Sequence, residues 1–246
     1  MVLEIDAQGI PYRELNRLIR EAVNAGEDRI RLRNVCGQRY IGAGLRRPVH
    51  IEIAGVPGND LGVFMDGPAI NVRNNAQDGV GNTMNDGLIV IDGDAGDVLG
   101  YGMRGGALFI RGDVGYRVGI HMKAYKDQVP VIVVGGTAGD FFGEYMAGGV
   151  MVLLGAYGRA RRPLAGDYLG TGMHGGVIYL RGRADPDRLG KEVRAFELDA
   201  DDARTLQPLL DRFAVYFGTE PLDVVREPFS KLIPVSHRPY GRLYAT

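Results

Sequence analysis

Residues 84–122 read MNDGLIVIDGDAGDVLGYGMRGGALFIRGDVGYRVGIHM, a stretch that repeats its own pattern after 19 residues. On both sides of this stretch, methionines recur at Met65, Met84, Met103 and Met122, then at Met146 and Met173 after one insertion of five residues and one of eight. A glycine precedes each methionine by three residues: Gly62, Gly81, Gly100, Gly119, Gly143 and Gly170. Self-similarity at a fixed period of this length is the sequence signature of a solenoid.

A short β-rich run opens each repeat. The seven runs are HIEI (50–53), AINV (69–72), LIVI (88–91), ALFI (107–110), VIVV (131–134), VMVL (150–153) and VIYL (177–180). Runs of this size, rich in branched side chains, are strand length and too short for helices. The glycines between them supply corners that need positive φ or close backbone approach. We therefore predict a mainly β fold in which residues 49–183 form a parallel β-helix of about seven 19-residue coils. The methionines should form one internal ladder and the aliphatic runs one parallel sheet.

The open ends of such a solenoid must be covered. Residues 1–48 predict a small strand–helix–strand cap: a strand at Val2–Ala7, a helix with Pro11 in its first turn and Gly26 as its stop, and a strand at Arg29–Arg33. The apolar face of that helix comprises Leu15, Leu18, Ile19, Ala22 and Val23.

Residues 184–246 predict the second cap. A strand is expected at Val193–Leu198, followed by a helix with Asp201 or Asp202 as its N-cap and Gly218 at its end. Its apolar side chains are Leu206, Leu209, Leu210, Phe213 and Phe217. The last stretch, from Phe229, begins as a strand-like run. Pro234 and Pro239 then predict an extended arm rather than a helix.

The composition narrows the class of protein. Glycine makes up 38 of 246 residues, about twice the ordinary ~7%, while 45% of residues are hydrophobic, so tight turns explain the glycine better than disorder does. The net charge of −1 favours neither nucleic acid nor an acidic membrane surface as a partner. A single cysteine, the lack of a signal-like N-terminus and the lack of a long apolar run predict a cytoplasmic protein outside the membrane.

The pattern G-x-G-x-x-G occurs at Gly100–Gly105 and again at Gly170–Gly175. A dinucleotide site requires a helix after this motif. Here both copies precede β-rich runs and occupy the same register of the repeat. We interpret these glycines as corners of the coil and predict no nucleotide site.

The remaining chemistry-bearing residues also have structural explanations. The aspartate column Asp78, Asp97, Asp140 and Asp167 is interrupted by Tyr116, and an aspartate after glycine commonly closes its own turn. Met ladders are usually core. The four histidines, His50, His121, His174 and His237, share no metal-site spacing, and Cys36 is expected to be a buried small hydrophobe. We therefore predict no catalytic residue, no cofactor site and no metal site in this chain.

The two insertions are the remaining positively charged features. Lys123 and Lys126 lie in the first, and Arg159, Arg161 and Arg162 in the second. Insertions in a solenoid project outward and often carry partner contacts. A simply solvated face explains these charges as well.

Three long strings identify a family resemblance: GDAGDVLGYGMRGGALFIRGDVGYRVGIHM (93–122), GGTAGDFFGEYMAGGVMVLLG (135–155) and GTGMHGGVIYLRG (170–182). They resemble the glycine-repeat (GXGXG) domain at the C-terminal end of the glutamate synthase large subunit. The flanks, IDAQGIPYRELNRLIREAV (5–23) and KLIPVSHRPYGRLY (231–244), resemble the free-standing form of this domain. Related chains occur among the subunits of N-methylglutamate synthase and of formylmethanofuran dehydrogenase.

The resemblance implies a single-stranded, right-handed β-helix with a structural role. In glutamate synthase this domain holds an amidotransferase domain, which releases ammonia from glutamine, against a domain that makes glutamate from 2-oxoglutarate. No catalytic residue is carried over, and FMN and an iron–sulfur cluster are expected in a partner subunit. The implied partners are an amidotransferase-type subunit and a synthase subunit, with a homo-oligomer also open, and the Lys231–Tyr244 arm is a candidate contact.

Three functions follow. The first is a non-catalytic scaffold in a glutamate synthase-type complex. The second is the same scaffold in an N-methylglutamate synthase or formylmethanofuran dehydrogenase complex. The third is an independent β-helix enzyme, such as an acyltransferase or a polysaccharide lyase. This third class is disfavoured, because neither an alternating hexapeptide pattern nor clustered acid–base residues are present.

Overall fold

The computed structural model describes residues 2–157, 163–223, 225, 226 and 228–235. Its strands are β1 (Leu3–Asp6), β2 (Arg29–Cys36), β3 (His50–Val56), β4 (Asp66–Val72), β5 (Asp86–Ile91), β6 (Ala107–Ile110), β7 (Val131–Val134), β8 (Ala147–Leu153), β9 (Gly175–Arg181), β10 (Val193–Phe196) and β11 (Phe229–Pro234). Its helices are α1 (Tyr12–Asn24), α2 (Ala200–Phe217) and a single 3-10 turn, Pro186–Arg188. One sheet joins all eleven strands in the order β1-β2-β3-β4-β5-β6-β7-β8-β9-β11-β10.

Strands β3 to β9 contain the seven predicted runs, and each pairs in parallel with the next. The pairing joins equivalent repeat positions, as in Leu88 with Ala107 and Ala107 with Val131. Seven successive strands enclose six turns of the chain. The parallel β-helix predicted from the repeat is confirmed.

The interior of the coils holds the methionine ladder. All six methionines of the repeat are at most 1% exposed and lie in one cluster with inward-facing residues such as Ile89, Leu108 and Ile132. The glycine three positions before each methionine has a φ between 63° and 75°. A Cβ at Gly100 would also lie 2.5 Å from Ile132 Cδ1, so a larger residue at this corner would be strained by its backbone and would displace the end of the Ile132 side chain.

The N-terminal segment forms the expected strand–helix–strand unit. Strands β1 and β2 extend the sheet in parallel, and α1 buries Leu15, Ile19, Ala22 and Val23 against the first coil. Leu18 is only half-buried. The helix begins one residue later than predicted: Pro11 has an extended ψ of 147° and is the N-cap rather than part of the first turn.

The C-terminal segment differs from its prediction in two details. Strand β10 ends at Phe196, two residues early. The N-cap of α2 is Asp199, not Asp201 or Asp202: its carboxylate accepts hydrogen bonds from the amides of Asp201 and Asp202, and the Asp202 carboxylate accepts one from the amide of Asp199. Asp199 and Asp202 therefore form a capping box, in which each carboxylate accepts from the backbone amide of the other. Asp202 is the third residue of the helix rather than its N-cap. Gly218 ends the helix in the left-handed region, as predicted.

Helix α2 packs on the outer face of the sheet. Its residues Leu206, Leu210 and Phe213 form a second buried cluster with the outward-facing Phe109 and Val133. The reason lies in the runs themselves. ALFI and VIVV are apolar at every position, so both faces of these strands need cover, whereas HIEI alternates with polar residues. Neither helix of the described residues is long and apolar enough to cross a membrane.

Candidate interaction surface

The two G-x-G-x-x-G motifs lie where the repeat predicts them, at the corner before a strand. Strand β6 follows the first copy and β9 overlaps the end of the second. Gly100 and Gly102 have φ values of 63° and 57°. The prediction that these glycines are corners is confirmed.

The carboxylates of the aspartate column form hydrogen bonds between coils rather than within their own turns. Asp78 Oδ1 accepts a hydrogen bond from the backbone amide of Asp97 at 2.9 Å, and Asp97 Oδ1 accepts one from the amide of Tyr116 at 2.9 Å. Asp140 and Asp167 are related in the same way. The prediction that each aspartate closes its own turn is therefore wrong, because these carboxylates join one coil to the next. A parallel ladder of the same kind runs through Asn75, Asp94 and Asp113 to Thr137.

The histidines and the cysteine do not converge. No group of three or more His, Cys, Asp or Glu suited to a metal ion occurs among the described residues. His50 lies beside Asn71 at 3.1 Å on the outer sheet face, His174 contacts the carbonyl of Gly172, and His237 lies outside the described residues. Cys36 is exposed, so its prediction as a buried hydrophobe is wrong: it ends β2 on the outward side of the sheet.

Only part of the predicted contact regions is described. The first insertion projects outward as a tight hairpin closed between Tyr125 and Gln128, with Lys123 and Lys126 exposed. The second insertion residues, Arg159, Arg161 and Arg162, lie outside the described residues. The Lys231–Tyr244 arm starts inside β11, which lies between β9 and β10, and the arm is described only to residue 235. The residues Lys231–Pro234 are thus part of the sheet rather than a free arm.

The uncovered part of the outer sheet face satisfies its own charges. Glu52 pairs with Arg31 at 3.1 Å and with Arg73 at 3.4 Å, and Arg73 also pairs with Asp92 at 3.4 Å. Burial acts to raise the pKa of Glu52, but the hydrogen bonds and charges of Arg31 and Arg73 together outweigh it and hold that pKa below its usual range. Partly exposed pairs of this kind contribute little each, and they leave few free groups for a partner.

One corner of the coils carries two stacks of aromatic side chains. In the first, the Arg117 guanidinium lies 5.0 Å from the centre of the Phe141 ring, which stacks on Tyr168 at 5.0 Å. In the second, His121 stacks on Tyr145 at 5.3 Å and meets Tyr101 edge-on at 5.8 Å. We call this surface the aromatic face; its residues are Asp97, Tyr101, Tyr116, Arg117, His121, Asp140, Phe141, Glu144, Tyr145, Asp167 and Tyr168.

The rings of the aromatic face are open to solvent. Tyr116 and Tyr168 are 54% and 56% exposed, and Tyr101 and Tyr145 about two-fifths. The backbone fixes their direction, because Tyr145 and Tyr168 have φ values of 52° and 62°, which residues other than glycine rarely adopt. The same repeat positions have positive φ in other coils, as at Asp60 and Phe64, so this conformation belongs to the corner of the coil. What marks an interaction surface here is the grouping of large exposed rings.

A buried carboxylate lies within the aromatic face. The Glu144 side chain is 9% exposed, and its Oε2 is 3.2 Å from Arg117 Nε. No group in the described part of the chain donates a hydrogen bond to that oxygen. With Asp97, Asp140 and Asp167, the face holds four carboxylates and one guanidinium group, that of Arg117, while Arg188 outside the face pairs with Asp167 at 2.7 Å. The face is therefore aromatic and net acidic.

This surface was not predicted from the sequence, although the signal was present. Arg117, Phe141 and Tyr168 share one position of the repeat, and His121 and Tyr145 share another four residues on. Equivalent positions stack above each other in a parallel β-helix, so aligned columns predict aromatic stacks. The glycine and methionine columns keep the same residue type in every repeat, so they are easier to recognise than these columns of mixed residue types.

Comparisons with known proteins agree with this architecture. The family model described as the GXGXG motif matches residues 29–235. A protein of Methanocaldococcus jannaschii described as uncharacterized, MJ1350, is 48% identical over 249 residues, covering 98% of this chain and 95% of its own length. A solved structure with the same fold is a chain of the formyltransferase/hydrolase complex FhcABCD from Methylorubrum extorquens, determined in complex with methylofuran. It has 22% identity and a TM-score of 0.62, and the match covers 87% of this chain and 85% of that one.

The family match runs from β2 through the last described residue, and includes every coil described above. The chain belongs to the GXGXG motif family.

Proposed function

We propose that this protein is a non-catalytic scaffold subunit of a glutamate synthase-type complex. In the cytoplasm, it holds an amidotransferase subunit in a fixed relation to a synthase subunit that binds FMN and an iron–sulfur cluster. The observation that carries the proposal is membership of the GXGXG family together with a rigid solenoid. Its polar side chains, as in the aspartate ladder, are used to join coil to coil.

A second candidate is the same scaffold in another complex. The structural neighbour is a chain of a formyltransferase/hydrolase complex, which favours a formyl-transferring assembly such as formylmethanofuran dehydrogenase. N-methylglutamate synthase, named by the sequence resemblance, belongs to the same group. The shared element in all three is a β-helix that serves partner chains.

The test is recovery of partners by the full-length tagged chain under gentle conditions, with the same tag on an unrelated protein as control. Recovery of stoichiometric amidotransferase-type and flavin-binding synthase subunits supports the first proposal. Recovery of formyltransferase- or hydrolase-type subunits supports the second. Recovery of neither contradicts a scaffold role.

Reconstitution separates scaffold from enzyme. With 2-oxoglutarate and an electron donor supplied, adding the purified chain to the isolated amidotransferase and synthase subunits should increase glutamine-dependent glutamate formation, while the chain alone should give no turnover. Supplying methylamine distinguishes an N-methylglutamate synthase, because the product then carries the methyl group. Turnover by the chain alone would establish the independent enzyme instead.

A further inference from the structure

We propose that the aromatic face is the docking site for a partner subunit, and that the partner provides a segment bearing arginine or lysine side chains. This inference rests on the proposed scaffold function and adds which surface is used and the chemistry of its occupant. It concerns a protein partner, because the stacked rings are spread over successive coils, where a chain segment can contact several of them at once.

The rings make the face suitable for a cationic side chain. A guanidinium over an aromatic ring within about 6 Å is attracted by the ring quadrupole. The aromatic face already contains such a contact, between Arg117 and Phe141 at 5.0 Å. Tyr168, one coil further, is 56% exposed and offers the next ring in the same stack. A partner arginine would continue a stacking pattern that Arg117 begins.

The charges of the face select the same occupant. Arg117 and Arg188 are the only cations paired with its four carboxylates among the described residues. Asp97 and Asp140 each use one oxygen to accept from a backbone amide and have no ion-pair partner in the described ranges. Electrostatic complementarity of this kind sets which partner is accepted and how fast it associates. An acidic segment would meet like charge.

Two regions of the outer sheet face fit a partner less well. The front of the outer sheet face is occupied by its own ion pairs around Glu52 and Arg73. The rear of that face is covered by α2 through Leu206, Leu210 and Phe213. Tyrosine and arginine dominate the binding energy of protein interfaces, and the aromatic face concentrates the exposed tyrosines.

The tagged wild-type chain first identifies the subunits that it recovers in stoichiometric amounts. The experiment then measures how much of each of these subunits a tagged variant retains, relative to the wild type. Tyr145→Ala combined with Tyr168→Ala should reduce retention about tenfold or more. Asp140→Asn should reduce it by about threefold, because the amide keeps the bond to the next coil and removes only the charge. The matched controls lie outside the face and should retain partners as the wild type does: Phe64→Ala changes the repeat position of Tyr145, and Asp94→Asn removes a charge from the parallel ladder while keeping an oxygen for the Asp113 amide. Variants of the aromatic face that behave like the controls would overturn the proposal.

A charge series at Tyr168 tests the sign of the partner. Retention should follow the order Tyr168→Glu above Tyr168→Gln above Tyr168→Lys, with about a threefold change at each step, since a basic segment is repelled by lysine. The reverse order, or no order, contradicts a basic partner. Thermal unfolding of each variant separates lost docking from lost folding.

The identity of the retained subunits tests the scaffold function, and the ranking of variants tests this surface. If the wild-type chain retains no subunit, both are wrong.

Discussion

Asp78 Oδ1 lies 2.9 Å from the backbone nitrogen of Asp97, the residue that takes its place one coil later. The Gly96 between them has no side chain because a Cβ there would be 2.0 Å from that oxygen. The recurrent Gly-Asp pair is thus one device: glycine admits the carboxylate of the preceding coil, and aspartate sends its own carboxylate to the following coil.

The acceptor oxygen, rather than the charge, should be what stabilises the coils. Asp97→Ala removes the oxygen that accepts from the Tyr116 amide and is expected to lower the free energy of unfolding by about 1–2 kcal/mol. Asp97→Asn retains an oxygen there and should stay within about 0.5 kcal/mol of wild type. Urea denaturation measures both, and equal losses would show that the charge matters.

The glycine and the aspartate should be energetically coupled. Gly96→Ala is expected to cost about 2–3 kcal/mol, because the new methyl group displaces the Asp78 carboxylate. In an Asp78→Ala background the same substitution should cost less than about 1 kcal/mol, since the oxygen it clashes with is gone. A double-mutant cycle by urea denaturation gives the coupling. Additive costs would mean that Gly96 is required by its backbone alone.

The interior of the coils was the part most accessible to prediction from sequence. Methionine, glycine and aliphatic columns keep one phase through two insertions, and burial on the inside of a closed coil imposes that phase directly. Met103 is fully buried. Met103→Ala should therefore cost about 2–5 kcal/mol, whereas Met103→Leu, which conserves volume, should cost less than about 1.5 kcal/mol. Comparable losses in thermal or urea unfolding would contradict a tightly packed ladder.

Contacts between coils and on the outside could not be predicted in the same way. A repeated aspartate indicates a turn or an inter-coil bond equally well, because only the stacking distance decides which amide lies within reach of its oxygen. Cys36 lies beyond the predicted strand Arg29–Arg33, and a register shift between Leu32 and Val35 interrupts the alternation, so that Cys36 faces outward. The position of α2 does have a sequence signal, since runs such as ALFI are apolar on both sides, and two apolar faces require two layers of cover. The aromatic face has the weakest signal in the sequence, because its residues share repeat positions but differ in type from coil to coil.

A buried polar contact fixes α2 onto the sheet. The Tyr179 hydroxyl donates to Asp202 Oδ1 at 2.7 Å, and Lys231 Nζ donates to Asp202 Oδ2 at 2.8 Å. Asp202 belongs to the capping box of α2, while Tyr179 and Lys231 are paired neighbours on β9 and β11. Burial, followed by the hydrogen bond and the charge of Asp202, raises the pKa of Tyr179 above its ordinary value. The hydrogen bond to Asp202 is likewise the main cause of the raised pKa of Lys231.

These pKa shifts predict a loss of stability in alkali. A tyrosine in the unfolded chain releases its proton near pH 10, while Tyr179 in the folded chain keeps its own to higher pH. The stabilisation that Tyr179 gives the folded state is therefore fully present below about pH 10, and the free energy of unfolding should fall as the pH rises above that value. Lys231 acts in the same direction. Tyr179→Phe removes the buried phenol, so its unfolding free energy should fall less steeply between about pH 9.5 and 11.5, with the Lys231 part remaining. Urea denaturation across that range gives both slopes, and a variant slope as steep as that of wild type would mean that Tyr179 does not couple folding to alkaline pH.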